Sequence, residues 1–229
     1  MNRLSIRSIA ALTLLALPAI AAQDAKPKPA PHPLPAEKAP SAAPAANDAA
    51  IVQKQRPSYP LTSCVACAKP LPEKPVEYVR DGRLFRLDAE DCKKAVDAEP
   101  AAMLKKIDAA VVSQQRPTYP LKTSPVSDKP LDANAIDHVY GTRLVRLASQ
   151  DEVALFEKDP ASAMKKLDQA YIDAQLPSYP MKTCPVSTEE LGSDPVNLLY
   201  GTKLVRFCCK KCMANFEKDP QKFAQALSK

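Results

Sequence analysis

The feature that most constrains this chain is a repeat. "QRPSYPLTSCVAC" at 55–67 returns as "QRPTYPLKTSPVS" at 115–127 and as "QLPSYPMKTCPVS" at 175–187. "DGRLFRL" at 81–87 returns as "GTRLVRL" at 141–147 and as "GTKLVRF" at 201–207. Every copy is offset by 60 residues without a gap. Self-similarity at a fixed period means tandem copies of one supersecondary unit, and it decides architecture before any local reading does. The copies divide the chain into units at 51–110, 111–170 and 171–229. A unit this small buries a modest share of its surface and generally needs a staple.

One unit reads as an α+β module. The two prolines of "PSYPL" disfavour helix and predict an extended segment. "TCPVS" predicts a tight knuckle. Val196–Tyr200 and Lys203–Phe207 have strand composition, and Gly201 between them predicts a hairpin. A short helix is expected through "CCKKCMANFEK". Asp219 and Pro220 suit the N-cap and first turn of a second helix, "PQKFAQALSK", with Phe223 and Leu227 on one face. Met164, Leu167 and Tyr171 repeat that stripe in the second unit, and a stripe at this spacing is read as core rather than as a cofactor box.

The first 50 residues differ from the rest. Arg3 and Arg7 precede an apolar run from Ser8 to Ile20, and "AIA" at 19–21 has the small-x-small form of a cleavage site. This predicts a secretory signal peptide at 1–22, since the run is short for a membrane anchor. No cysteine follows it, so a lipid anchor is not indicated. Residues 23–50 are mostly Ala, Pro and Lys, too apolar-poor to offset their ordering entropy, and predict a disordered linker; His32 there is read as solvated. The expected location is the periplasm or the cell exterior, with no membrane span left after cleavage.

The net charge of +6 becomes +4 without Arg3 and Arg7. Basic and acidic residues are interspersed and Trp is absent. That describes a solvated surface rather than a nucleic-acid stripe, so no nucleic-acid partner is expected.

The chemistry lies in seven cysteines, all in the outer units: Cys64, Cys67 and Cys92, then Cys184, Cys208, Cys209 and Cys212. The 60-residue offset equates Cys64 with Cys184 and Cys92 with Cys212. Cys67 is matched by Ser187, and Cys208 by Asp88. The middle unit has Ser124, Ser127, Ala148 and Glu152 at these four positions. Each cysteine-bearing unit therefore keeps one cysteine in the knuckle and one at the short helix, and adds a third from a different position. That fits a site needing three or more converging thiolates, which select soft or borderline ions, chiefly zinc and copper(I). A helix N-terminus carrying Cys208 and Cys212 at i, i+4, beside Lys210 and Lys211, favours thiolate. Cys209 pairs with Cys212 at i, i+3, and the spacing leaves open which of Cys208 and Cys209 is the closer ligand.

"YPMKTCPVS", "YGTKLVRFCCKKC" and "NFEKDP" resemble the TRASH/YHS group of small metal-binding domains. The resemblance covers about 60 residues per copy and is closest in the third, where a knuckle cysteine, Cys184, is followed by the C-x3-C pair Cys208 and Cys212. It implies treble-clef-like units and heavy-metal binding linked to sensing, trafficking or resistance. The first unit departs from the pattern with Asp88, and compensates with Cys67. The middle unit has no ligand-type cysteine, and metal binding is not carried over to it. His138 there is read as a packing or surface position.

Three function classes remain. The first is an exported protein that captures or buffers zinc or copper(I), with another exported or membrane protein as its exchange partner. The second is an exported interaction scaffold with structural disulfides, since close cysteines pair in oxidising compartments. The third is an enzyme. "CVAC" has redox spacing but no βαβ context, and no nucleophile motif or phosphate loop is present, so no catalysis is expected.

Overall fold

In the computed structural model the described residues run from Ala45 to Phe223. The signal peptide expected at 1–22 and most of the linker lie outside them, as does Leu227. No helix among the described residues is long and apolar enough to cross a membrane.

The fold is α+β and repeats with the sequence. Helix α1 (Ala45–Gln55) leads to a hairpin of β1 (Val76–Arg80) and β2 (Arg83–Leu87), then α2 (Cys92–Ala98). Helix α3 (Pro100–Gln115) leads to β3 (Ile136–Tyr140), β4 (Arg143–Leu147) and α4 (Asp151–Lys158). Helix α5 (Pro160–Gln175) leads to β5 (Val196–Tyr200), β6 (Lys203–Phe207) and α6 (Lys210–Lys218), and a single 3-10 turn follows at Pro220–Phe223. The three hairpins share one antiparallel register, with Val76 opposite Leu87, Ile136 opposite Leu147 and Val196 opposite Phe207.

Residues 45–50, expected in the linker, form the first half of α1. Beyond Pro44 the sequence "AANDAA" consists largely of good helix formers, and prolines are absent until Pro57. "PSYPL" also departs from expectation. Arg56–Ser58, Arg116–Thr118 and Leu176–Ser178 form 3-10 turns that continue the preceding helix, and the chain becomes extended only at Tyr59, Tyr119 and Tyr179. Proline is compatible there because it occupies the first turn, where its missing N–H would have had no partner.

The second strand of each hairpin is buried on both faces. Phe85 and Leu87 face their own core, where Val96, Met103, Ile107 and Val111 join them. In the next unit Val145 and Leu147 face a core of Phe156, Ala163, Leu167 and Tyr171, whereas Leu144 packs into the first core. Thus α3 and α5 are each shared between two units, and the sequence junctions at 110/111 and 170/171 fall inside continuous helices. Asp159 caps α5 by accepting from the Ser162 N–H at 3.1 Å, as "DP" predicts.

A glutamine locks each helix to the hairpin that follows. Gln115 Oε1 accepts from the Leu144 N–H at 2.9 Å, and its Nε2 donates to the Thr142 carbonyl at 2.8 Å. Gln55 holds Leu84 and Gly82 in the same way, and Gln175 holds Leu204 and Thr202. The following tyrosine adds one bond: Tyr59, Tyr119 and Tyr179 hydroxyls accept from the N–H groups of Arg86, Arg146 and Arg206. The repeated "Q-x-P-[ST]-Y-P" is therefore a fastening between helix and hairpin. Nothing local in the motif marks this role, because the backbone groups it holds lie 27–29 residues downstream.

Candidate metal centre

Each knuckle is a closed loop. The Cys64 N–H donates to the Lys69 carbonyl at 2.8 Å, and the Ala68 N–H donates to the Cys64 carbonyl at 2.8 Å. The same pair of bonds closes the loops at Ser124 and Cys184. The last residue of each loop, Ala68, Asp128 or Thr188, takes a left-handed φ of 60–64°. A β-branched residue rarely adopts that conformation, so Thr188 holds local strain.

This geometry aims backbone N–H groups at the knuckle sulfur. Burial raises the Cys184 thiol, but N–H groups of Ser187, Cys208 and Val186 outweigh it and lower the pKa to about 7. Cys64 is likewise pushed up by burial and brought below its ordinary value by N–H groups of Asp88, Cys67 and Ala66. Such a nest of N–H groups stabilises an anionic sulfur before any cation arrives.

The remaining groups come from the end of the hairpin and the start of the short helix. In the first unit Cys64, Cys67, Asp88 and Cys92 bring one ligand atom each within 4.8 Å of all the others. Asp88 Oδ1 accepts from Cys67 Sγ at 3.1 Å and from Cys92 Sγ at 3.0 Å. Those bonds hold the carboxyl well below the usual range and raise Cys92. In the third unit Cys184, Cys208 and Cys212 meet the same distance condition. Cys208 Sγ lies 3.7 Å from Cys212 Sγ, and burial with this neighbour pushes Cys212 up to about 12. An ion bonded tetrahedrally to sulfurs at about 2.3 Å holds them about 3.8 Å apart.

The helix placement of Cys208 is corrected. Helix α6 begins at Lys210, with Cys209 extended at its N-cap, so Cys208 precedes the helix and comes from the end of β6. Cys208 turns into the cluster, while Cys209 is exposed, 3.8 Å from Cys208 Sγ and not among the three converging sulfurs. All seven cysteines carry free thiols.

The middle unit fills the same space without sulfur. Glu152, at the position of Cys92 and Cys212, is almost fully buried. Its carboxylate accepts from Ser124 Oγ at 2.5 Å, from Ser127 Oγ, and from the Ala148 N–H at 2.9 Å. Burial raises its pKa, but these three donors bring it below the ordinary value. The unit without cysteines thus has an internal hydrogen-bonded knot where the other two have thiols. His138 is half-buried with its ring edge-on to Phe156, a packing role. Ser187, which the sequence offers only as the match of Cys67, places its Oγ 3.4 Å from Cys208 Sγ, as Cys67 sits beside Asp88. Its signal was the serine standing where the first unit has a cysteine.

Comparison of the chain with protein-family models, with curated proteins and with solved structures finds no match.

Proposed function

We propose that this chain is an exported, non-catalytic metal-binding protein. It captures or buffers soft or borderline cations, zinc or copper(I), in its first and third units, in the service of metal trafficking or resistance. The units are read as treble-clef-like modules of the TRASH/YHS kind, and the middle one as a metal-free member. The ion is the ligand; an exported or membrane protein receives or supplies it, and nucleic acid has no part.

One observation carries this reading. Two units 120 residues apart converge three thiols each, although the third thiol comes from different positions, Cys67 in one and Cys208 in the other. Conserving a fold's cysteines explains equivalent positions. Conserving a thiol count around one point in space, through exchanged positions, is what a cation demands. The surrounding residues agree: an N–H nest at each knuckle sulfur, and a carboxylate knot where the thiols are lost.

Native mass spectrometry of protein purified without added metal or chelator tests it. The expected result is up to two ions per chain with thiols reduced, and loss of one on Cys184→Ser/Cys212→Ser. A metal-free mass short by pairs of hydrogens, unchanged in metal uptake after reduction, refutes it and favours the disulfide-stapled scaffold.

A further inference from the structure

The two thiol centres are not duplicates. Superposing the repeat gives four corners to each: 64, 67, 88 and 92 in the first unit, and 184, 187, 208 and 212 in the third. Two corners are cysteine in both units. At the other two, the first unit pairs the Cys67 thiol with the Asp88 carboxylate at 3.1 Å. The third pairs the Ser187 hydroxyl with the Cys208 thiol at 3.4 Å. The sulfur has changed places with the oxygen, and the oxygen has changed from an anionic carboxylate to a neutral hydroxyl.

Resting on the metal-binding reading above, we propose that the centres divide two ions between them. Cys64, Cys67, Asp88 and Cys92 form a closed site for a divalent cation of the zinc type, and Cys184, Cys208 and Cys212 form an open site for monovalent copper. Zinc takes four ligands in a tetrahedron and accepts carboxylate oxygen beside sulfur. The first centre supplies all four, with three thiolates and one carboxylate, so a divalent ion is both fully coordinated and better charge-balanced. The third centre lacks the carboxylate, so its three thiolates are all the anionic ligands it offers. Its fourth corner is an alcohol, a poor ligand for either ion. Copper(I) is soft and satisfied by thiolates alone, whereas zinc there must take its fourth ligand from solvent. Glu189 does not close the site: its Oε2 lies 3.7 Å from Cys208 Sγ, and it is not part of the converging set.

The test uses the full chain under anaerobic, reducing conditions. Cys184→Ser/Cys212→Ser leaves only the first centre, and Cys64→Ser/Cys92→Ser leaves only the third. Each is titrated with zinc against a chromophoric chelator and with copper(I) against a coloured copper(I) chelator. The first centre is expected to hold zinc roughly 100-fold more tightly than the third, and the third to lead for copper(I) relative to zinc by a wider margin than the first. Two changes that keep every cysteine guard against misfolding of the double variants. Asp88→Ala weakens zinc at the first centre by about tenfold or more while leaving copper(I) nearly unchanged. Ser187→Cys raises zinc affinity at the third centre by at least about tenfold. Equal zinc affinity at the two centres, the same copper(I)-over-zinc margin at both, or no response of zinc to Asp88→Ala and Ser187→Cys overturns the division while the metal reading stands. Failure of the unaltered chain to bind either ion overturns the metal reading itself.

Discussion

Glu152 gives the sharpest prediction. Its carboxylate is the sole acceptor for Ser127 Oγ and the Ala148 N–H, and it is hydrogen-bonded to Ser124 Oγ, on a residue that is almost fully buried. A hydrogen bond to a charged group contributes about 1.5–3 kcal/mol, and a buried donor left alone costs about 1–3 kcal/mol. Glu152→Gln keeps the volume and one oxygen, so it loses the charge assistance on three bonds, about 2 kcal/mol. Glu152→Ala strands three donors and opens a cavity, about 4 kcal/mol. Hydrogen exchange of segments within 120–158, followed by mass spectrometry at pH 7, isolates this unit from its neighbours. Protection there should fall in the order wild type, Gln, Ala, while the Cys64 and Cys184 knuckles change least. An Ala variant within about 0.5 kcal/mol of wild type refutes the knot as a stabilising element. The pH dependence has a fixed sign. Glu152 is depressed in the folded chain, so its contribution is whole above the unfolded value of about 4.3 and is lost as pH falls through the lower folded value. Glu152→Gln should remove that acid sensitivity from the middle unit.

Other expectations follow from the fastenings and the knuckles. Gln115→Ala leaves the Thr142 carbonyl and the Leu144 N–H unpaired at buried positions and should destabilise the second hairpin by about 3 kcal/mol, read by denaturant melts or local exchange. Thr188→Gly relieves a left-handed β-branched residue and should stabilise the third unit by about 1 kcal/mol, with its metal stoichiometry intact. Cys208→Ser should abolish ion uptake by the third unit, whereas Cys209→Ser should leave the number of ions unchanged; the reverse result reassigns the ligand.

The hairpins, knuckles and buried stripes were legible because each rests on local chemistry: β-branched alternation, a glycine in a turn, apolar residues four apart. The cysteine corners were legible because the gapless offset superposes them. What escaped the sequence depended on groups meeting across space. The glutamines at 55, 115 and 175 look like helix-end polar residues until a hairpin 27–29 residues away presents its backbone to them. The start of α1 was hidden because an alanine-rich run after a proline-rich one differs little in composition. Cys208 was assigned to the helix from its i, i+4 spacing with Cys212, yet an extended Cys209 separates it from α6 and the sulfurs meet all the same. Glu152 read as a lost ligand because only its surroundings reveal three donors aimed at it.

Tandem repeats are usually pictured as a row in which each member knows only its neighbours. This chain departs from that picture at Gly201. A methyl group there would come within 3.0 Å of the Pro57 carbonyl, and the Gln53 side chain donates to the carbonyl of Glu217. The first and third units therefore touch without the second between them, and the row closes on itself. Stability in a closed array is not a sum of adjacent pairs, because opening either outer unit strips a surface from the other. Any side chain at 201 acts as a wedge between two units that sit at opposite ends of the sequence.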